Sequence, residues 1–205
     1  MGGSQAITPS IRLGNAAIQR GGRLVLRDFT LVAERGEIVW IRGANGSGKS
    51  TLFRALAGLL PLAAGTRAVE GRIALTDDNS ALDSEATLEN SLRFWTRLDG
   101  ASNTDLERAL VSLDLVPLAE LPVRLLSAGQ RKRGSLARMI ASGADIWLLD
   151  EPYNGLDQAN VARLDDVLAR HASSGGLALV ASHIAPTVNV TRSIQLDMRA
   201  RKAAA

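Results

Sequence analysis

Cysteine is absent from the 205-residue sequence. Disulfides, thiolate metal sites, cysteine nucleophiles and covalent haem attachment through Cys-x-x-Cys-His are therefore excluded. Only two histidines are present, His171 and His183, too few for a His-rich metal centre. No apolar run approaches the roughly 18 residues of a membrane span, and no apolar signal-peptide core follows Met1. The expectation is a chain with no direct membrane span, made and kept in the cytosol. No internal repeat is visible. Hydrophobic residues make up 46% and charged residues 22%, an ordinary balance for one globular domain with a real core.

Net charge is only +3, but it is unevenly spread. Between Asp77 and Glu120, ten acidic residues face three arginines, a net of −7. Such a segment argues against wrapping nucleic acid there. It reads either as a solvated helical surface or as a docking face for a basic partner.

The most informative stretch is Gly43-Ala44-Asn45-Gly46-Ser47-Gly48-Lys49-Ser50-Thr51, which fits G-x-x-x-x-G-K-[ST]. Its glycines let the backbone approach phosphate oxygens, with successive N–H groups pointing inward as donors. A helix starting near Lys49 turns its positive end toward the same anion. Lys49 can then reach the β- and γ-phosphates, and the Ser50 hydroxyl can ligate Mg²⁺. The context fits: Glu37–Ile41 reads as a buried strand and Leu52–Leu60 as a helix.

Other elements follow from spacing. Ile11–Ile18 and Leu24–Val32 read as strands about a Gly21-Gly22 turn, and Val69–Leu75 as a further strand. Helical spacing covers Glu85–Leu98 and Thr104–Leu113. Ser127 is placed to cap a helix running to Ser142. Ile146–Leu149 and Leu177–Val180 are continuous apolar runs, as expected of central parallel strands. Asn160–His171 reads as a helix with His171 as a surface cap, and Ser193–Leu196 as an edge strand. The expected fold is an α/β phosphate-loop core, residues 11–76 and 143–200, opened by an antiparallel β segment and interrupted by a helical subdomain over 77–142. Residues 1–205 form one domain in this reading.

Asp150 and Glu151 end the apolar run Ile146–Leu149, where nucleotide sites form in such sheets. Asp150 is then a candidate metal ligand, and Glu151 a candidate to orient or deprotonate an attacking water. A Ser-capped helix N-terminus at Leu126-Ser127-Ala128-Gly129-Gln130 is a further anion site.

Taken in order, the phosphate loop, Leu126–Gln130, Asp150-Glu151-Pro152, Gly155-Leu156-Asp157 and Ser182-His183 resemble the ATP-binding cassette (ABC) ATPases over essentially the whole chain. The resemblance implies ATP and Mg²⁺ as ligands. It makes Glu151, His183 and Lys49 the catalytic set, with His183 contacting the γ-phosphate. Ser127, Ala128, Gly129 and Gln130 become the signature that faces ATP bound to a second copy, so an ATP-dependent homodimer is implied. Asp157 matches a residue at that dimer interface. Three positions depart from the common pattern. Arg20 falls where the family usually stacks an aromatic ring on adenine. Asp78 falls nearest the usual Mg²⁺-contacting Gln. Ala128 replaces the commoner Gly.

Within the family, the signature, Ala86–Asn90, Phe94-Trp95 and Leu121–Leu126 are similar to ATP-binding subunits of the haem exporters of cytochrome c biogenesis. That resemblance implies integral membrane permease partners of CcmB and CcmC type, and a peripheral place on the cytoplasmic face of the bacterial inner membrane. It implies no nucleic-acid partner. The ATPase subunit of another small exporter, and a soluble ABC ATPase acting on nucleic acid or ribosomes, remain as alternatives.

Overall fold

In the computed structural model, residues 8–77 and 81–196 are described. The chain opens with a hairpin, β1 (Ser10–Arg20) and β2 (Arg23–Glu34), turned by Gly21-Gly22. Next come β3 (Ile38–Arg42), the phosphate-loop segment, and helix α1 (Lys49–Leu56). Strands β4 (Ala64–Glu70) and β5 (Ile73–Thr76) follow. Three helices, α2 (Leu88–Leu98), α3 (Asn103–Ser112) and α4 (Ala128–Ala141), fill the middle of the chain. The chain then returns through β6 (Ile146–Asp150), α5 (Gln158–Ser173), β7 (Leu177–Ala181) and β8 (Arg192–Gln195).

Two sheets result. The antiparallel one has the order β2-β1-β4, and the second has the order β5-β6-β7-β3-β8 with every pairing parallel. Strands β6 and β7 are buried at every position, which is why they read as unbroken apolar runs rather than alternating ones. Between the sheets lies one core, where Ile11, Leu13, Ile18, Ile41, Leu52, Phe53 and Leu56 are fully enclosed. Each such side chain contributes about 1.5–3 kcal/mol of burial free energy. The other face of the parallel sheet meets α2–α5 in a second core built on Leu88, Leu92, Leu136, Trp147, Leu164 and Leu168.

The structure differs from the sequence reading in several places. Val69–Leu75 is not one strand. Gly71, at φ 104°, turns the chain so that β4 joins the antiparallel sheet and β5 the parallel one. The helix after the phosphate loop stops at Leu56, short of Leu60, where Gly58 adopts φ 77°. His171 is no surface cap: its ring stacks on Trp147 with centroids 3.6 Å apart and lies half-buried. Burial holds its pKa below the ordinary histidine value, outweighing the neighbouring backbone and Asp145, which favour the charged form.

Part of the acidic middle is paired within the chain. Asp77 pairs with Arg54, Glu85 with Arg124, Glu89 with Arg93, and Asp114 with Arg163. The basic run after the signature is likewise engaged: Arg131 donates to the Leu126 carbonyl, and Arg133 to those of Leu113 and Asp114.

Candidate active site

The carboxyl ends of β3 and β6 lie on either side of β7, and the loops that leave them meet in one cleft of about 780 Å³. Asn45, Gly46, Gly48, Lys49, Ser50 and Thr51 form one wall. Asp150, Glu151, Asn154 and His183 form another, and Arg20 to Arg27 along the β1–β2 hairpin close the third side. Gly48 stands at the N-cap of α1 and no side chain caps the helix, which leaves its first-turn N–H groups to a ligand.

Lys49 is 6% exposed, and its ammonium donates to the Gly43 carbonyl at 2.8 Å. It also forms an ion pair with Glu151 Oε1 at 3.1 Å. The other carboxylate oxygen, Oε2, meets His183 Nδ1 at 2.8 Å and accepts from the His183 backbone N–H at 3.4 Å. Burial alone would raise the Glu151 pKa, but Lys49 and His183 outweigh it and hold the carboxyl below its usual range. Glu151 is also one of four non-glycine residues with positive φ among the described residues, at 46°. Such a conformation costs about 1–3 kcal/mol and persists only where the surroundings enforce it.

A hydrogen-bonded node holds this corner together. Tyr153 donates to Asp165 Oδ1 at 2.5 Å, and Asp165 Oδ2 accepts from the backbone N–H groups of Thr187 and Val188 at 2.9 and 3.2 Å. The Thr187 hydroxyl donates to the same oxygen. The segment after Glu151 and the segment after His183 are thus tied to one point on α5. Burial first, and then the Asp165 carboxylate, push the Tyr153 pKa far above its ordinary value.

Of the residues singled out in the sequence, the cleft collects Arg20, Asn45, Gly46, Gly48, Lys49, Ser50, Thr51, Asp150, Glu151 and His183. Gly43 and Ala44 shape the loop through their carbonyls, which accept from Lys49 and from the Ser47 N–H. Asp78 lies outside the described residues. The signature is not in this cleft. Ser127 caps α4 by accepting from the Gln130 N–H, and Gln130 Oε1 accepts from the Ser127 N–H. Gly129 lies so close to the carbonyl of Gly155 that a Cβ would sit 2.7 Å from it. Asp157 caps α5 through the Asn160 N–H at 2.8 Å. Sequence reasoning missed Arg23, Arg27 and Asn154. The signal for Arg23 was available: a two-residue Gly-Gly turn makes it the cross-strand partner of Arg20.

The oxygen donors suit Mg²⁺. The Ser50 hydroxyl and the Asp150 carboxylate are hard ligands on one cleft, and among the described residues no group of three His, Cys, Asp or Glu makes a self-sufficient metal cage. Mg²⁺ characteristically takes one or two protein oxygens and completes its shell with phosphate and water.

Fold and cleft together define an ATPase of the ABC class. Residues 26–154 match the family model described as ABC transporter, and the chain belongs to that family. The cytochrome c biogenesis ATP-binding export protein CcmA of Sphingopyxis alaskensis is 49% identical over 87% of this chain and 92% of its own length. The protein of the same description from Rhodospirillum rubrum is 38% identical over 87% of this chain and 82% of its own. Among solved structures, a putative ABC transporter ATP-binding protein from Pyrococcus furiosus superposes with a TM-score of 0.81 at 21% identity, over 91% of this chain and 97% of that one.

Proposed function

We propose that this chain is the ATP-hydrolysing subunit of a haem exporter used in cytochrome c maturation. It would work peripherally at the cytoplasmic face of the bacterial inner membrane with permease subunits of CcmB and CcmC type. The observation that carries the reading is the 49% identity to a CcmA protein along nearly the whole of both chains. The absence of any helix long and apolar enough to cross a membrane, among the described residues, fits a subunit that relies on separate membrane partners.

The cleft suggests how hydrolysis proceeds. The phosphate loop and the α1 N-terminus hold the triphosphate, and Lys49 neutralises its outer oxygens. Ser50 and Asp150 would hold Mg²⁺, which supplies charge neutralisation on the phosphates. Glu151, kept ionised by its neighbours, accepts the proton of a water whose oxygen attacks the γ-phosphorus. The bond from that phosphorus to the bridging oxygen breaks, and ADP and inorganic phosphate leave. His183 holds both Glu151 and the γ-phosphate in line. Ser127 and Gly129 of a second copy would complete the site, so that ATP joins two subunits and hydrolysis parts them.

The test is affinity purification of tagged Glu151→Gln protein with MgATP from detergent-solubilised native membranes. Recovery of the small multi-span subunits of the cytochrome c maturation system is the expected result. Recovery of another permease would overturn the haem-export reading and keep the ATPase.

A further inference from the structure

Asp165 stands where the helix pattern calls for an apolar side chain. The inward face of α5 is otherwise Leu164, Val167, Leu168 and Ala172, and Asp165 is only 6% exposed among them. A carboxylate buried there serves the fold less well than a leucine, unless its bonds set a geometry. Its side chain accepts four hydrogen bonds, one at Oδ1 from Tyr153 and three at Oδ2 from the Thr187 hydroxyl and the N–H groups of Thr187 and Val188. All of them come from two stretches of chain.

Those stretches are the ones that carry Glu151 and His183. At their roots the sheet ties them together. Asp150 pairs with Ala181 in the β6–β7 ladder, and the Glu151 N–H donates to the Ala181 carbonyl at 2.8 Å. The Trp40 indole holds the next carbonyl, that of Ser182, at 3.0 Å. The ladder ends there, and Asp165 supplies the second tie. Pro152 links Glu151 to Tyr153, and Pro186 immediately precedes Thr187, so a ring-locked φ stiffens each segment beside its anchor. Glu151 and His183 therefore lie between two fixed points, with Oε2 and Nδ1 2.8 Å apart. The positive φ of Glu151, which only enforcing surroundings sustain, falls within the same span.

We propose that Asp165 is a positioning residue for hydrolysis: it clasps the two segments from α5 and so fixes the spacing of Glu151 and His183. This rests on the ATPase reading of the cleft. Asp165 does not itself line the cleft, so it acts only through the groups that it holds. Its loss leaves the phosphate loop and Lys49 in place. Turnover falls while nucleotide affinity stands, because the spacing matters when water is activated and not when phosphate docks.

The experiment measures kcat, KM and MgATP affinity on the full chain, well below its melting temperature, with circular dichroism giving the folded fraction. Asp165→Leu keeps the branched outline and removes every acceptor. It should lower kcat per folded chain roughly tenfold and leave ATP affinity within about twofold. Asp165→Asn should recover most of the rate, because an amide can turn its oxygen to the Thr187 and Val188 N–H groups and its NH₂ to the Tyr153 oxygen. Should Asp165→Leu not fold, Tyr153→Phe/Thr187→Val removes both side-chain donors and should slow kcat in the same way. In a Glu151→Gln background, Asp165→Leu should add less than about a twofold loss, since no base is left to place. A native-like kcat per folded chain in these variants would overturn the proposal. So would a tenfold loss undiminished beside Glu151→Gln, or a loss of ATP affinity as large as the loss of rate. If Lys49→Ala hydrolysed ATP at the native rate, the underlying ATPase reading would fall instead.

Discussion

At the scale of single residues, the sharpest expectations concern the carboxylate at the end of β6. Replacing Glu151 by Gln should lower steady-state hydrolysis by about 10²–10⁴-fold, the span typical of losing a general base. Phosphate release measured at saturating MgATP checks this, and a rate near that of the native chain would remove Glu151 from the role. The depressed Glu151 pKa also has a sign. A group ionised more readily in the folded than in the unfolded chain stabilises the fold fully above its unfolded value, near 4.3, and loses that contribution as pH falls through the folded value. The stability gap between native and Glu151→Gln protein should therefore narrow below about pH 4 in urea titrations. A third expectation concerns Tyr153. Tyr153→Phe removes one donor from the buried Asp165 carboxylate and should cost about 1–2 kcal/mol in the same assay.

At the scale of elements, α4 and α5 show what patterning can and cannot predict. Ser127 was legible as a cap because a Ser with Gln three residues on has one favourable local geometry, and the capping box forms as that rule expects. Strands β6 and β7 were equally legible, since burial on both faces writes an unbroken apolar run. Strand β4 was not. Six of its seven residues are exposed, so it carries little hydrophobic signal, and what defines it is pairing with β1, far upstream, from Ser10 with Glu70 to Ala17 with Ala64. His171 failed for a related reason. Its last-turn position in α5 suggests a surface role, whereas the Trp147 ring beneath it belongs to a strand that sequence spacing cannot bring into view. Its lowered pKa means that the unfolded chain binds the proton first. Stability should fall as pH drops below about 6.5, and His171→Phe, which keeps a ring against Trp147, should flatten that slope in thermal melts. The contact between α4 and the Gly155 turn gives another test. Gly129→Ala forces a methyl toward a backbone oxygen and should destabilise by about 1–3 kcal/mol.

At the scale of the whole molecule, the two sheets divide the labour. The parallel sheet carries Lys49, Asp150, Glu151 and His183 on the loops at its carboxyl ends, and the antiparallel sheet brings the arginine-bearing hairpin across to close the cleft. The first group was readable as motifs, because each side chain sits at a fixed offset from a strand end. The second was only partly readable, because its distance from the phosphate loop is set by how one sheet lies on the other. The signature residues Ser127 to Gln130 do not line this cleft, so nucleotide bound in one chain's cleft leaves that helix end without a phosphate. With MgATP, Glu151→Gln protein should run as a dimer in size-exclusion chromatography and revert to monomer when nucleotide is withdrawn.

The ion pair between Lys49 and Glu151 gives ATP an internal competitor. A carboxylate fixed 3.1 Å from the ammonium acts as an anion at very high effective concentration, and any incoming phosphate must displace it. The affinity measured for ATP is therefore a difference between two occupants of the same lysine. The neutral amide in Glu151→Gln competes poorly, so that variant should bind ATP more tightly than the native chain even as a monomer. Titration at a protein concentration too low for dimers would show it, and equal affinities would mean that the carboxylate yields the lysine at no cost.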